Sequence, residues 1–465
     1  MTQDVADAGA QRDNRALVAF KDAVAYTESL IGPPRLEPLK TRAQMREAGE
    51  RRLGKVRRLL ELLGHPERHG AFLHVGGTSG KGSTATMVAS MLQAAGHRVG
   101  LHTGPYLQSP VEKLLVDGRP ITPDGFVALI DMCRPAIKQM ATEPCGVPTY
   151  IELWAVLPLL HFAQETVRYA VVEVGVGGRF DGTNVITPVV SLITTVGHDH
   201  TQSLGHHLTD IAWHKAGIMK EGVPAVTGVR QPEALAVLEA EAGALGVPLR
   251  VVRPQTDYDL TVADGGGTAF TYRDPWGHRH GYRTGMLGAH QAGNAALALA
   301  ALDAATITVP IHARERGLVS ARIPGRLEVV QRQPLVVLDG AHNGEKSAVL
   351  AAALRDLFPY DRLILVLAVL QGKALPALLA PLMPLAHHVV ATAYDLPGKP
   401  GLPAAELARA VEEYGVPVCV DPNAMSAVQY AIAMASPRDV VCITGSLYLV
   451  GQARDVWVHA AQSPG

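Results

Sequence analysis

A short apolar run, Phe72 to Val75, passes directly into the glycine-rich segment Gly76-Gly77-Thr78-Ser79-Gly80-Lys81-Gly82-Ser83-Thr84, and Ala85 to Ala95 follows with Met87, Val88, Met91 and Leu92 along one face. The order is strand, loop, helix. In that order, backbone N–H groups of the loop and the N-terminus of the helix attract phosphate oxygens, so Thr78, Ser79, Gly80, Lys81, Gly82 and Ser83 are expected to hold a nucleotide. Lys81 would take the β- and γ-phosphates. The pattern departs from the strict phosphate-loop spacing, because Val75 stands where the first glycine belongs and Gly82 follows the lysine. The plainer alternative is a glycine-rich turn with a solvated lysine.

The alternation continues. Gly96 ends the helix, RVGLH forms a second strand, a helix is expected near Glu152 to Glu165, and apolar strands at Tyr169 to Val174 and Val189 to Val196. Buried strands separated by helices predict an α/β fold with a mostly parallel sheet covered on both faces. Residues from about 15 to 68 have helical spacing, and Leu260 to Tyr282 alternates like a β-hairpin at the rim. From Leu335 the pattern restarts with VVLD, LILVLAV, HVVAT, VPVCV and VVCIT. At 465 residues the chain exceeds what one core usually organises. The expectation is a phosphate-loop domain over 1–320 and a smaller Rossmann-like α/β domain over 321–465.

Composition narrows the function classes. A formal charge of −1, from 42 Lys plus Arg against 43 Asp plus Glu, offers no field for nucleic acid or an anionic membrane. The most apolar stretch, Leu363 to Ala386, is broken by Gln371, Gly372, Lys373 and three prolines, so it reads as strand, loop and buried helix. Cys133, Cys145, Cys419 and Cys442 lack metal-site or disulfide spacing. With a polar start and no secretory pattern, a cytoplasmic location is expected.

GTSGKGST resembles the phosphate loop of the Mur ligase superfamily, in its folylpolyglutamate synthase and dihydrofolate synthase branch. Seven further motifs resemble that branch in order: EVGVGGRFDGTN from Glu173, GHDHTQSLG from Gly197, HKAGIMKEGVPAV from His214, GAHQAGNAALAL from Gly288, IPGRLEVV from Ile323, LDGAHN from Leu338 and GSLYLVGQAR from Gly445. The resemblance implies an ATP-dependent ligase that activates a pterin or folate carboxylate as an acyl phosphate and joins it to L-glutamate. Its partners would be these small molecules, and it would act as a monomer. Mg2+ would be the metal, at two sites.

Each site residue carries an implied role beside a plainer one. Glu173, at the C-terminal end of an apolar strand, is suited to magnesium, and a strand-end Glu also caps helices. By resemblance Glu173 and His200 are metal ligands; a lone loop His is otherwise polar surface. Lys215 reads as a solvated helix lysine, yet the matching family lysine is carbamylated by CO2 and helps hold the second metal. Asn294 sits on an Ala-rich helix as a packing residue, or by resemblance near the adenine. Arg326 would reach phosphate oxygens across a cleft that closes near it, or form a surface ion pair. Asp339 would meet the nucleotide or cap a helix, and His342 in LDGAHN would contact substrate. Thr149, Tyr150, Ile151 and Glu152 resemble a segment lining the pterin side, with Phe180, Asp181 and Gly182 opposite, and equally read as a helix start with a capping box.

One departure stands out. Where the family has TSPH, whose serine ligates magnesium, this chain has Thr103-Gly104-Pro105-Tyr106. Thr103, Ser83 or water would then supply the oxygen, or the first metal is held more weakly. The change also leaves room for a Mur-type ligase acting on a non-folate carboxylate, or for a nucleotide-binding protein without turnover.

Overall fold

The computed structural model describes residues 2–32, 41–394 and 400–458, so part of the helical stretch expected over 15–68 lies outside the described residues. The chain forms two compact units, one comprising Met1–Asp259, Phe270–Thr284 and His290–Ala321, the other Leu260–Ala269, Gly285–Ala289 and Arg322–Gly465.

In the first unit eight strands, β1 (Ala71–Gly76), β2 (Val99–His102), β3 (Leu115–Val116), β4 (Arg119–Pro120), β5 (Tyr169–Glu173), β6 (Pro188–Ile193), β7 (Ala225–Thr227) and β8 (Leu249–Val251), make one sheet. Its order is β4-β3-β2-β5-β1-β6-β7-β8. All neighbours from β2 to β8 pair parallel, and only the short β3 and β4 are antiparallel. β1 lies between β5 and β6, which explains why Phe72, Leu73 and Val75 are apolar without alternation and essentially inaccessible. One core gathers Phe72, Val172, Phe126 and Trp154, and another gathers Val174, Ile193, Ile211 and Ile218. The helix Lys81–Ala94 buries Met87, Val88, Met91 and Leu92, as its spacing predicts.

β9 (Tyr258–Asp264), β10 (Gly267–Arg273) and β11 (Arg279–Thr284) form a three-stranded sheet ordered β11-β10-β9, one strand more than the hairpin expected there.

The second unit holds a six-stranded sheet of β12 (Glu328–Arg332), β13 (Leu335–Leu338), β14 (Leu363–Leu367), β15 (His388–Ala393), β16 (Val418–Asn423) and β17 (Val440–Thr444), ordered β12-β13-β17-β14-β15-β16. Only β12 pairs antiparallel. Leu350, Leu354, Leu365, Val389 and Leu407 lie in its core. After β14 the apolar stretch continues only into the short helix Leu375–Leu379, and among the described residues no helix is long and apolar enough to cross a membrane.

Candidate active site

The phosphate loop begins where β1 ends, at the C-terminal edge of the sheet. Two glycines need their conformations: Gly77 at φ 139 would place a Cβ onto Thr194 Oγ1, and Gly80 at φ 84 would place one against the Asn294 amide. Gly80 is also the N-cap of the helix Lys81–Ala94, which has no side-chain cap, so the N–H groups of its first turn can meet an anion.

Threonines following β6 brace the loop. Thr194 Oγ1 donates to Ser79 O at 2.7 Å, Ser79 N donates to Thr195 Oγ1 at 2.9 Å, and Thr78 N donates to Thr195 O at 2.9 Å. Thr78 Oγ1 accepts from Gly197 N at 3.0 Å. On the other side Asn294 Nδ2 donates to Gln291 Oε1 at 2.9 Å, and Gln291 Nε2 lies 3.5 Å from Ser83 Oγ. Asn294 is therefore a neighbour of the loop. A cavity of about 420 Å³, lined by Thr195, Gly228, Arg230 and Gln231, opens beside these braces.

Register pairs Val75 with Glu173, so the carboxylate emerges from β5 next to the start of the loop. Glu173 is buried; its Oε1 lies 3.8 Å from Lys81 Nζ and its Oε2 accepts from Gly104 N at 3.2 Å. Its partners include the loop lysine and the segment that carries the altered motif. A Cβ on Gly104 would meet nothing within 4 Å, so sterics do not account for the missing serine.

Lys215 lies in the helix Leu208–Ala216 and is 3% exposed, which corrects the picture of a solvated lysine. Burial first, then the charge of Lys81, pushes its amine down to about 7, against an opposing pull from Asp199. Glycine at 178 lets the EVGVGG loop pass within 2.8 Å of His214 O, measured from where its Cβ would stand. His200, at φ 50, keeps its ring about half exposed and 3.9 Å from Asp199 Oδ2.

Asp181 is buried. Its Oδ1 accepts from Thr183 N and Oγ1 at 3.0 and 2.6 Å, and its Oδ2 from Val176 N at 3.1 Å. Phe180 packs edge-on to Trp213 and His214, and at Gly182 a Cβ would collide with Ala155. Thr149 and Glu152 do form a capping box on the helix Tyr150–Gln164, with Thr149 N donating to Glu152 Oε2 at 2.7 Å, while Ile151 is exposed.

Sequence reasoning passed over Lys113. Its ammonium lies 3.7 Å from the Trp154 ring centroid and 5.9 Å from that of Tyr150. Burial pushes its amine down to about 7, although Asp181 and Glu173 both favour the charged form. No spacing signals it, because an isolated lysine at the end of a 3-10 turn and just before a two-residue strand has no pattern. Thr194 and Thr195 were also missed, and the pair of hydroxyls directly after an apolar strand was the available signal.

In the second unit Arg326, Asp339 and His342 are neighbours. Asp339 Oδ2 accepts from Leu327 N at 2.9 Å and Oδ1 from Ala341 N at 2.8 Å; burial raises its carboxyl, and Arg326 opposes that rise. The cap of the helix Gly344–Leu357 is Asn343, which removes the capping reading of Asp339. Lys346 Nζ donates to His342 Nε2 at 3.1 Å, so the ring donates through Nδ1 to Gly340 O at 2.8 Å and is neutral; burial, then Lys346, holds its pKa near 4.

Residues 75–302 match the Mur ligase middle domain and residues 325–447 match the Mur ligase glutamate ligase domain. A dihydrofolate synthase/folylpolyglutamate synthase of Bacillus subtilis is 36% identical over 407 residues, covering 86% of this chain and 94% of that protein. The folylpolyglutamate synthase of Lacticaseibacillus casei is 35% identical over 446 residues, covering 94% and 98%. The solved structure of Mycobacterium tuberculosis folylpolyglutamate synthase complexed with ADP superposes with a TM-score of 0.84 at 30% identity, covering 97% of this chain and all of that one. With a braced phosphate loop, a buried strand-end carboxylate beside its lysine and relatives matched over nearly their whole length, the chain belongs to the folylpolyglutamate synthase and dihydrofolate synthase branch of the Mur ligase superfamily.

Proposed function

We propose that the protein is an ATP-dependent ligase that adds L-glutamate to dihydropteroate, to reduced folates, or to both. A carboxylate resists amine attack because its charge repels the nucleophile and oxide is a poor leaving group. Transfer of the γ-phosphoryl group removes both obstacles: the acceptor carboxylate oxygen bonds to phosphorus, ADP leaves, and an acyl phosphate remains. The glutamate amine then attacks the acyl carbon, and the tetrahedral intermediate expels phosphate and loses a proton to give the amide.

In this scheme the loop from Thr78 to Ser83 holds the phosphates through backbone N–H groups, and Lys81 neutralises charge that develops on the transferring group. Asn294 serves the nucleotide from the side of the loop. Lys113, Tyr150 and Phe180 face the acceptor acid, and Asp339, Arg326 and His342 belong to the domain that we assign to glutamate. Glu173 offers a hard carboxylate oxygen beside Lys81, which fits Mg2+; His200 and a carbamylated Lys215 would complete a second position, the latter favoured by an amine near 7. Bound Mg2+ supplies Lewis-acid stabilisation of phosphate charge. The observation that carries the reading is the 3.8 Å approach of Lys81 Nζ to Glu173 Oε1 at the sheet edge.

Phosphate release measured with ATP, L-glutamate and a panel of dihydropteroate, reduced folates and non-pterin carboxylates tests it. Release with a pterin acceptor and not without one is the expected result. Release only with non-pterin acids moves the assignment to another Mur-type ligase, to which the Gly104 loop is the pointer, and absence of release with every acceptor overturns catalysis altogether.

A further inference from the structure

Between β10 and β11 the turn Asp274-Pro275-Trp276-Gly277-His278 reverses the chain, with Gly277 at φ 91. Asp274 N donates to His278 O at 3.0 Å and Gly277 N donates to Asp274 O at 3.1 Å, so the turn is closed by its own backbone. His278 and His280 are two residues apart as the chain enters β11, which places both rings on one face of an extended segment. None of these residues belongs to the machinery described above.

The Asp274 carboxylate is divided between two tasks. Its Oδ1 accepts the N–H groups of Trp276 and His278 at 3.0 and 2.9 Å. Its Oδ2 lies 3.2 Å from His278 Nδ1 and 3.1 Å from His280 Nε2. One donor atom from each of the three residues lies within 4.8 Å of the others. Asp274 is buried, His280 half-buried and His278 exposed, so the cluster is seated on the protein and open on one side. Desolvation opposes a charged Asp274, yet hydrogen bonds from His280 and His278 hold its carboxyl below the usual range.

We propose that Asp274 Oδ2, His278 Nδ1 and His280 Nε2 bind one divalent transition-metal ion of the zinc, nickel or copper class at this hairpin. Two ligands about 2.1 Å from a shared ion stand about 3.0 Å apart at a right angle and about 3.4 Å apart at the tetrahedral angle, and the nitrogen-to-oxygen separations of 3.2 and 3.1 Å fall between these. Two imidazoles with one carboxylate favour these ions over Mg2+, whose preference is for oxygen. The backbone bonds to Oδ1 orient the carboxylate, as outer partners of metal ligands do. Each ring binds through the nitrogen that otherwise faces Oδ2, so the ring proton on that nitrogen moves to the other nitrogen or to solvent. Water completes the shell on the His278 side. The ion would cross-link the turn to the first residues of β11.

Zinc titration by calorimetry tests the site on the full chain, after chelator treatment and with Mg2+ present in large excess to occupy oxygen-rich positions. The wild type is expected to take up one equivalent of Zn2+, while His278→Ala and His280→Ala weaken that binding by roughly tenfold or more. Circular dichroism of the metal-free variants should match the wild type, since His278 is exposed. Phosphate release without zinc should be unchanged in both. Absence of zinc uptake by the wild type overturns the proposal, as does wild-type affinity in both variants, or uptake lost in Glu173→Gln and retained in His280→Ala.

Discussion

The Gly104 N–H donates to Glu173 Oε2 at 3.2 Å, so the segment that lacks the family serine still touches the carboxylate that the reaction scheme assigns to magnesium. The backbone has kept the address and lost the hydroxyl. Because a Cβ at Gly104 meets nothing within 4 Å and its φ lies outside the left-handed region, Gly104→Ser should fold without strain. Adding one oxygen near the ion should lower the half-saturating Mg2+ concentration for phosphate release by roughly three- to tenfold, the worth of about one polar interaction. A Mg2+ titration of the two proteins reads this directly, and an unchanged requirement would remove Gly104 from the vicinity of the metal.

Lys215 should respond to carbon dioxide. A buried amine near 7 is partly neutral at physiological pH, and only the neutral amine can attack CO2. Wild-type enzyme prepared in CO2-free buffer should lose most of its turnover and regain it with bicarbonate. Lys215→Ala should lose at least about a hundredfold and regain nothing with bicarbonate, as expected for loss of a group that organises phosphoryl transfer. Equal turnover in CO2-free and bicarbonate buffers would rule out the modification.

The parallel core was legible because strands buried on both faces read as continuous apolar runs, as Leu363–Leu367 does throughout and Phe72–Val75 does apart from His74. The antiparallel margins of the two sheets were not legible: Leu115–Val116 and Arg119–Pro120 are too short to show a period, and Glu328–Arg332 is half-buried and mixed in composition. At the site, the glycine loop announced itself because its conformation restricts residue type. The burial of Lys215 did not, since a polar residue on a short helix looks solvated until the elements packed over it are known. Lys113 is a similar case, and its desolvation arises from Trp154 and Tyr150, residues far along the chain.

Lys113→Met tests the acceptor side. Methionine keeps an unbranched apolar stem against Trp154 and removes the charge. The expected result is a KM for the pterin substrate raised roughly tenfold or more, as for loss of one charge-assisted contact, with the KM for ATP nearly unchanged. Equal effects on both substrates would place Lys113 with the nucleotide instead.

Stability should fall on mild acidification because of histidines buried in their neutral form. Thr183 Oγ1 donates to Asp181 Oδ1 at 2.6 Å, so it must accept from His74, whose Nε2–H lies 2.9 Å away. The other ring nitrogen, Nδ1, is buried without a hydrogen-bond partner. Protonating it would bury a charge with no acceptor, and desolvation, aided by Lys220, pushes the His74 pKa down to about 3. His102, whose Nδ1 lies 2.9 Å from Lys113 O, is pushed to about 3 by burial and then by the Lys113 charge. In the unfolded chain both rings titrate near their ordinary value of about 6.5. Between about 6.5 and 3 the unfolded state therefore binds protons that the folded state does not. The stabilisation is complete above 6.5 and declines as pH falls, by up to about 1.4 kcal/mol per pH unit for each such group. His74→Gln retains an amide donor in the position of Nε2 and cannot titrate, so its urea midpoint should drop less between pH 7.5 and pH 5 than that of the wild type. An identical drop in both proteins would show that His74 takes up its proton without unfolding.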